Sequence, residues 1–251
     1  MLVPSYSPAE WQLRVQLAAA YRLVDHFGWT EQIYGHLTAR VPGDDEHFLI
    51  NAWGLNYDEI TASNLVRIDL DGQWVPGQAQ APINHAGFVI HSALHRTHTA
   101  HSRVVMHTHT VAGMAVAALE DGLQPVSMFA SAFFGKLGYH DYEGASLYLD
   151  ERERLARSLG EAKALVLRNH GLIAVGATVP ECFLRLYRLE RACQVQIAAA
   201  AAGRLRVMPD ALAAKSGADL DAYQALHQGE GVTEFDALMR KLDRVDSSYR
   251  H

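Results

Sequence analysis

The chain has 251 residues, of which 49% are apolar and 20% are charged, the balance of an ordinary globular protein. This length allows one large domain, or at most two small ones, with a sizeable hydrophobic core. The formal net charge of −6 argues against binding to a nucleic-acid backbone, and the absence of a run of four or more like charges argues against a polybasic membrane patch.

The first half of the chain predicts helices that alternate with short strands. The motif Ser7-Pro8-Ala9-Glu10 is typical of a capped helix start, and Gly28 can end that helix. Strand-like segments follow at residues 33–41, 48–51 and 65–70, and a turn at Asp71-Gly72 joins the last of them to residues 73–75 as a hairpin. A helix over 84–95, a strand over 103–106 and a helix that ends near Leu119 complete this half.

The second half predicts the same alternation. Residues 124–128 resemble a strand, and the aromatic segment 133–142 is predicted to be a loop. A helix over 147–159 stops at Gly160, and apolar strands at 164–167 and 172–175 flank the sequence Arg168-Asn169-His170-Gly171. The motif Thr178-Val179-Pro180-Glu181 opens a long helix that ends in an alanine run before Gly203. Beyond it, only residues 235–242 show clear helical periodicity.

These elements favour a single α/β domain. No linker or internal repeat interrupts the pattern. Helices interleaved with strands, several of them hairpin-like, predict a three-layer αβα fold with a central mixed or antiparallel sheet. We expect one domain over residues 1–251, in which residues 204–251 form a C-terminal tail that packs on the domain or on a neighbouring subunit.

The cysteines and the start of the chain favour a cytoplasmic protein. Cys182 and Cys193 fall in one predicted helix, where eleven residues rise about 16 Å, far beyond the roughly 7 Å between Cα atoms that a disulfide tolerates. No apolar stretch approaches the roughly 20 residues that span a bilayer. Residues 1–5 lack the basic and apolar regions of a signal peptide. We therefore expect a reducing compartment and no membrane association.

Histidine is the unusual feature of the composition, with 14 residues, several of them between His85 and His109. The segment His107-Thr108-His109 follows a predicted strand, and residues i and i+2 of an extended backbone point to the same side, so the two imidazoles can share one cation. A catalytic site of this kind uses a third imidazole and keeps one coordination position open. His170 suits that role because Gly171 beside it permits a tight turn. By itself the pattern is weak, since histidine often serves only as a hydrogen-bonding residue.

Several segments of the chain resemble the class II aldolase and adducin family. The resemblance is carried by VVMHTHT at 104–110, LRNHGL at 167–172, IYGHLTARVPG at 33–43 and FLINAWG at 48–54. A further segment, AGFVIHSALH at 86–95, is similar to the adducin-like branch in particular. The matched segments extend over about residues 8–203, and residues 235–249 resemble the ends of some members.

The resemblance implies a three-layer αβα fold and a homotetramer with active sites at subunit boundaries. It also implies one divalent metal ion per subunit, Zn²⁺, Mn²⁺ or Fe²⁺, among which imidazole ligands do not select. The family's ligands are the two histidines of the H-x-H motif and the one of the later His-Gly pair, which correspond to His107, His109 and His170.

The chain departs from the sugar-phosphate aldolases of the family in two places. Those enzymes carry a carboxylate base one or two helix turns before the H-x-H motif, whereas residues 84–88 contain no Asp or Glu. Gly35-His36-Leu37-Thr38 replaces a Gly-Asn-x-Ser type of phosphate loop, although Thr38 can still donate to an anion. We therefore expect a small-molecule substrate that is not a sugar phosphate.

A metal held by three neutral imidazoles keeps its full charge, which favours reactions of a carboxylate or ketone next to a hydroxyl or keto group. The expected activity is that of a carbon–carbon lyase, an aldolase or decarboxylase, on a small hydroxy or keto acid or an aromatic acid. One alternative is an oxygen-dependent Fe²⁺ enzyme that uses the same histidines. Another is a non-catalytic, adducin-like scaffold, which the three retained histidines disfavour.

The remaining site residues are predicted from position. Candidate acid/base groups are Tyr139, His140 and Tyr142 in the aromatic segment, and His85 in place of the missing carboxylate. The candidates for substrate binding lie in segments that carry the resemblance: Gly35, Thr38, Asn51, Trp53, Gly54 and Phe88. Six aromatic residues could either line a pocket or pack in the core, and core packing is the more ordinary role: Trp53, Phe88, Phe133, Phe134, Tyr139 and Tyr142.

A second group of histidines competes with the first. His91, His95 and His98 recur at i, i+4 and i+7 on one helix face and could hold a metal of their own. We expect instead that His91 packs inward and that the other two meet solvent or another subunit. Glu190, in the long helix, is expected to pair with Arg188 or Arg191.

Overall fold

A mixed sheet lies at the centre of the computed structural model, which describes residues 6–78, 80–97, 99–144, 148–226 and 229–251. Within these residues it has seven strands: β1 (His36–Arg40), β2 (His47–Ile50), β3 (Val66–Asp69), β4 (Val104–Thr108), β5 (Leu137–His140), β6 (Ala164–Leu167) and β7 (Gly171–Gly176). Their order is β3-β2-β1-β4-β7-β6-β5, and every neighbouring pair is antiparallel except β5 and β6.

Helices cover both faces of the sheet. The described residues contain α1 (Pro8–His26), α2 (His85–His95), α3 (Val111–Ala117), α4 (Met128–Ser131), α5 (Arg152–Leu159), α6 (Val179–Ala202), α7 (Asp210–Ala225) and α8 (Val232–Val245). Helices α1, α3 and α6 pack on one face, and α2 and α5 pack on the other. The predicted three-layer αβα fold is confirmed.

The alternation of side chains along β4 decides which face carries the histidines. Val104 and Met106 pack in the core cluster of α1 and α6, whereas Val105 packs with α2 and α5. Because successive side chains of a strand point to opposite faces, His107 lies on the α2 side of the sheet.

The predicted helix starts are confirmed by their caps. The Ser7 hydroxyl accepts a hydrogen bond from the backbone N–H of Glu10 at 3.1 Å, and the Thr178 hydroxyl accepts one from Glu181 at 3.3 Å. Each cap satisfies a backbone donor that the first helical turn leaves free. Gly28 adopts a positive φ of 67° directly after α1, as its predicted role at the helix end requires.

Several predicted elements differ in the structure. Residues 124–127 form no strand, and α4 begins at Met128. The segment predicted as an aromatic loop contains β5, because Leu137–His140 pairs in parallel with β6. The predicted hairpin after β3 is reduced to a single bridge between Ile68 and Trp74. The helix predicted over 147–159 is α5, preceded by a 3-10 turn at Leu149–Glu151, and residue 147 lies outside the described residues.

The C-terminal tail packs on the domain through two helices. The predicted helix at 235–242 is α8, which packs against α1 and α6, and α7, which has almost no amphipathic pattern and was not predicted, contacts α4. Phe235, Leu242 and Tyr249 are buried in the α1–α6 core. Among the described helices, none combines the length and apolarity needed to cross a bilayer.

Candidate metal centre

Two adjacent inner strands, β4 and β7, place three histidines at one end of the sheet. In the antiparallel pairing of β4 with β7, Thr108 lies opposite Leu172. Residues 168–170 form the tight turn from β6 into β7, in which Asn169 takes a positive φ of 56°. Gly171 runs so close to β4 that a Cβ atom there would lie 2.5 Å from the carbonyl oxygen of Thr108. The turn therefore brings His170 against the H-x-H motif.

His107, His109 and His170 converge as the spacing predicts. One ring nitrogen from each lies within 4.8 Å of the other two. The Nε2 atoms of His109 and His170 are 3.0 Å apart. The ring of His107 has its centroid 4.5 Å from that of His109 and 4.9 Å from that of His170. We call these three residues the histidine triad.

The backbone fixes the orientation of His107. Its Nδ1 lies 2.9 Å from the carbonyl oxygen of Leu172. A carbonyl can only accept, so Nδ1 carries the proton and donates, and Nε2 keeps its lone pair. That Nε2 atom is buried and has no hydrogen-bond partner among the described residues. This arrangement, in which the second nitrogen is anchored and the first is free, is the usual one for a metal-binding histidine.

Burial keeps the triad uncharged. It lowers the pKa of all three imidazoles, and the neighbouring rings lower that of His107 further, while Glu31 raises that of His109. The pKa of His170 falls to about 4, first because of burial and then because of His109. Neutral imidazoles offer the lone pairs that a cation needs.

The donor set fits a divalent ion. Two nitrogens bound 2.0–2.1 Å from a four-coordinate ion lie roughly 3.4 Å apart, which the 3.0 Å contact between His109 and His170 nearly matches. His107, His109 and His170 would hold the ion, and three ligands leave one position open for another oxygen or nitrogen ligand.

A cavity of about 460 Å³ opens at the triad, within the usual size range of small-molecule sites. Its further polar lining comes from Glu31, Tyr34, His36, Asn84, Tyr142 and Asn169. The apolar part includes Ala86, Ile90 and Met114. Lys and Arg do not occur in the lining that the described residues form.

Of the four predicted acid/base groups, the structure places Tyr142 at the cavity. Its ring centroid lies 6.3 Å from that of His170, and more than half of the side chain is exposed. His85 is exposed at the start of α2, and the described cavity lining does not include it.

Tyr139 and His140 have structural contacts elsewhere. The Tyr139 hydroxyl accepts a hydrogen bond from the backbone N–H of Leu123 at 3.0 Å, and Arg168 lies over its ring. His140 is buried, with Nδ1 3.0 Å from the Ser158 hydroxyl and Nε2 3.4 Å from Glu151. Both residues belong to β5, an edge strand that the sequence did not predict, and neither is in the described lining of the cavity.

The predicted substrate-binding residues of β1 and β2 mostly support the scaffold. Thr38 is fully buried, and its hydroxyl lies between His91 and His95 rather than facing an anion. Asn51 accepts a hydrogen bond from the Tyr21 hydroxyl at 2.9 Å. Gly35 has a φ of 93°, and a Cβ atom there would lie 2.4 Å from the Tyr57 hydroxyl oxygen. Glycine is therefore required at this position by the backbone conformation and the close packing.

Of the six aromatic residues considered for a pocket, Tyr142 belongs to the described cavity lining. Phe88 packs in the core of β2, β3 and α2, and Phe133 packs between α3 and α6. Trp53 lies at the rim, with its ring centroid 5.7 Å from that of Tyr34, and Gly54 is exposed beside it. Tyr34 and Tyr142 are the aromatic residues of the described cavity lining. Packing in the core, the ordinary role of aromatic side chains, explains the difference.

The second histidine group is a buried hydrogen-bonded layer. Thr38 Oγ1 lies 2.7 Å from His91 Nδ1 and 2.8 Å from His95 Nε2, and both histidines are fully buried. The expectation that His95 meets solvent or a subunit is wrong, because α2 presses this face onto β1. His98 lies outside the described residues.

The sequence did not predict five polar residues of the described cavity lining: Glu31, Tyr34, His36, Asn84 and Asn169. Glu31 comes from the loop before β1, and Tyr34 lay in the segment 33–41 that was predicted to be a strand. His36 lay in a predicted strand and could have been found from register, since it pairs directly with His107. The predicted ion pair of Glu190 is replaced by hydrogen bonds from the Thr110 hydroxyl and, at 2.8 Å, from Gln194.

Known proteins match this chain along most of its length. The family described as Class II Aldolase and Adducin N-terminal domain matches residues 15–197. An aldolase II superfamily protein from Pseudomonas syringae has 47% identity and a TM-score of 0.88, with 98% of each chain covered. An L-fuculose 1-phosphate aldolase from Glaciozyma antarctica PI12 has 28% identity and a TM-score of 0.82, with 99% of this chain and 96% of that one covered.

Alpha-adducin of Rattus norvegicus is a relative of different size. It is 39% identical over 260 aligned residues, which cover 96% of this chain but 34% of the adducin. The match extends over a family domain and the fold agrees with solved members. This chain therefore belongs to the class II aldolase and adducin family.

Proposed function

We propose that this protein is a metal-dependent carbon–carbon lyase, an aldolase or decarboxylase, that acts on a small hydroxy or keto acid or on an aromatic acid. The observation that carries the proposal is the histidine triad, three uncharged imidazoles whose nitrogens converge in the wall of a cavity. Zn²⁺, Mn²⁺ and Fe²⁺ all suit such ligands.

Bound there, the ion would supply Lewis-acid chemistry, the polarisation of a carbonyl or carboxylate oxygen. The chain itself offers two groups for proton transfer from the cavity lining. Glu31 provides a carboxylate, the kind of base that residues 84–88 lack, and Tyr142 provides a phenol next to His170. We assign Glu31 the role of proton acceptor and Tyr142 that of proton donor.

The lining favours a carboxylic acid over a sugar phosphate. A phosphate dianion is usually held by Arg, Lys or a row of backbone N–H groups, and the described lining contains neither Arg nor Lys. Thr38, the remaining candidate for anion binding, is bound to two histidines. The amides of Asn84 and Asn169 suit hydroxyl and carboxyl oxygens. The similarity to the Glaciozyma enzyme supports the opposite choice, so the two substrates should be compared directly.

We also propose a homotetramer in the cytoplasm. Membership of the class II aldolase and adducin family supports oligomerisation. Two free, buried cysteines agree with a reducing compartment. Sedimentation of the purified protein tests the assembly.

The proposal is tested by elemental analysis and by product detection. Purified protein should contain one transition-metal ion per chain. With a panel of hydroxy and keto acids it should release an aldehyde or CO₂ at the same rate with and without oxygen, and it should turn over L-fuculose 1-phosphate poorly. A protein that binds no metal, or that cleaves only the sugar phosphate, contradicts the proposal.

Two alternatives have their own support. The same triad can hold Fe²⁺ in an oxygen-dependent enzyme, in which case the reaction stops under anaerobic conditions. The 39% identity with rat alpha-adducin supports a non-catalytic scaffold, for which the purified protein would be metal-free and inactive with every acid of the panel.

A further inference from the structure

His36 is a fourth histidine at the triad. In the pairing of β1 with β4 it lies directly opposite His107, so both side chains point to the same face of the sheet. It lines the cavity and is 4% exposed, and its ring centroid lies 6.2 Å from that of His107. His36 therefore lies in the cavity wall beside His107.

Glycine at position 87 leaves room for the imidazole ring of His36. A Cβ atom on Gly87 would lie 2.5 Å from three atoms of the His36 ring, Cδ2, Cε1 and Nε2. Glycine inside a helix is less stable than alanine, and the φ of Gly87 does not require glycine. The close approach of the imidazole explains why α2 carries glycine at this position.

Neither nitrogen of His36 has a hydrogen-bond partner among the described residues. The two histidines beneath it each have one nitrogen without a partner, but Nδ1 of His91 and Nε2 of His95 both contact the Thr38 hydroxyl. A buried polar group without a partner lowers the stability of the folded protein. A destabilising, unpaired histidine in the wall of a cavity indicates that a bound ligand supplies its missing hydrogen-bond partner.

We propose that His36 binds a hydroxyl group of the substrate next to the triad. The proposal rests on the proposed function and narrows its substrate class to 2-hydroxy acids. A neutral imidazole offers one donor and one acceptor, which matches the donor and acceptor of a hydroxyl group. It offers a phosphate dianion no compensating charge.

The first test measures stability without metal. His36→Phe keeps a flat ring on Gly87 and removes both nitrogens, so the melting temperature of the chelator-treated protein should stay equal or rise. The matched control, His95→Phe, removes a nitrogen that contacts the Thr38 hydroxyl and should lower the melting temperature. A large drop for His36→Phe would mean that the nitrogens serve the fold, which overturns the proposal.

The second test measures binding. With zinc-loaded protein, glycolate should bind about tenfold more weakly to His36→Phe than to the unchanged chain, the loss expected for one hydrogen bond. Acetate, which lacks the hydroxyl group, should bind both within about twofold. Zinc content should be one ion per chain in both proteins.

A third variant tests the role of the glycine. Gly87→Ala should weaken glycolate binding and lower the melting temperature, because the new methyl group meets the His36 ring. In a His36→Ala background the same change should raise the melting temperature, since alanine then only favours the helix.

The outcomes separate this proposal from the function on which it rests. Equal glycolate affinity in the unchanged chain and His36→Phe, or no glycolate binding by the zinc-loaded protein, overturns the role of His36 and leaves the lyase proposal standing. Failure of the unchanged chain to take up zinc overturns the lyase proposal and this one together.

Discussion

Two groups of histidines, a few ångströms apart on the same face of the sheet, have different chemistry. In the histidine triad, one ring nitrogen of each residue faces the other two, Nε2 of His107 has no hydrogen-bond partner among the described residues, and a backbone carbonyl anchors its Nδ1. In the buried layer under α2, the Thr38 hydroxyl takes one nitrogen from each of His91 and His95. The triad opens on a cavity, whereas the layer is sealed by the helix.

The groups that surround a buried histidine, rather than the residue type, decide its chemistry. Both groups are kept uncharged by burial. In the layer, the Thr38 hydroxyl joins one nitrogen of His91 to one of His95 and so stabilises the packing of α2 on β1. In the triad, three neutral imidazoles face one another at a cavity, where their lone pairs can bind a cation.

Removal of one triad member should have the largest effect. We expect His170→Ala to weaken metal binding by more than about 100-fold, because two imidazoles seldom retain a divalent ion alone. Elemental analysis after dialysis measures this, and turnover should be lost with the ion. His85→Ala is the control, since that exposed histidine lies outside the described lining and its loss should leave the metal content unchanged. Full metal occupancy in His170→Ala would break the distinction between the two groups.

Acid should destabilise the metal-free protein through the buried rings. Burial lowers the pKa of His36 and of His95 to about 3, against about 6.5 in the unfolded chain. Between these values the unfolded state binds more protons, so stability is complete above pH 6.5 and falls as the pH falls. From pH 7 to pH 5 each ring should cost about 2 kcal/mol of unfolding free energy. Urea denaturation at pH 7, 6 and 5 measures it.

The His95→Phe variant sharpens the acid prediction. It lacks one of the titrating rings, so its unfolding free energy should fall less steeply with acid, by about 2 kcal/mol over the same interval. An unchanged slope would show that His95 takes up its proton in the folded protein.

Loss of the hydroxyl group in the layer should have a smaller effect, confined to stability. Thr38→Val removes the hydroxyl that contacts Nδ1 of His91 and Nε2 of His95, and we expect a loss of about 2 kcal/mol in the free energy of unfolding. Thr108→Val is the matched control, because that buried hydroxyl has no partner among the described residues and its loss should be neutral or stabilising. Both variants should keep the metal. Equal destabilisation by the two changes would contradict the bridging role of Thr38.

Much of the fold could be read from local patterns. The caps at Ser7 and Thr178 and the apolar runs of β6 and β7 act within a few residues, so their signals are present in the sequence itself. β5 and α7 were missed because neither has a strong local pattern. Leu137–His140 becomes a strand through its pairing with β6, and α7 has almost no amphipathic periodicity.

The candidate site also has residues that the sequence predicted and residues that it did not. The spacing of His107 and His109 on a strand, with His170 beside a glycine, indicated the triad, and the family resemblance supported the same three ligands. Tyr139 and His140 were proposed from their place in the aromatic segment, and Thr38 and Phe88 from segments that carry the resemblance. The structure gives each of these four a structural contact instead. Glu31 and His36 reach the cavity from elements far away in the chain.

The sequence by itself determined the sheet-and-helix framework, the three converging histidines and the departure from a phosphate-binding loop, because these depend on residue type and on spacing along one or two strands. Only the tertiary structure decided which further side chains surround the triad. That depends on strand register and on the packing of α2 against β1, where a glycine at 87 and a histidine at 36, distant in sequence, fit each other in space.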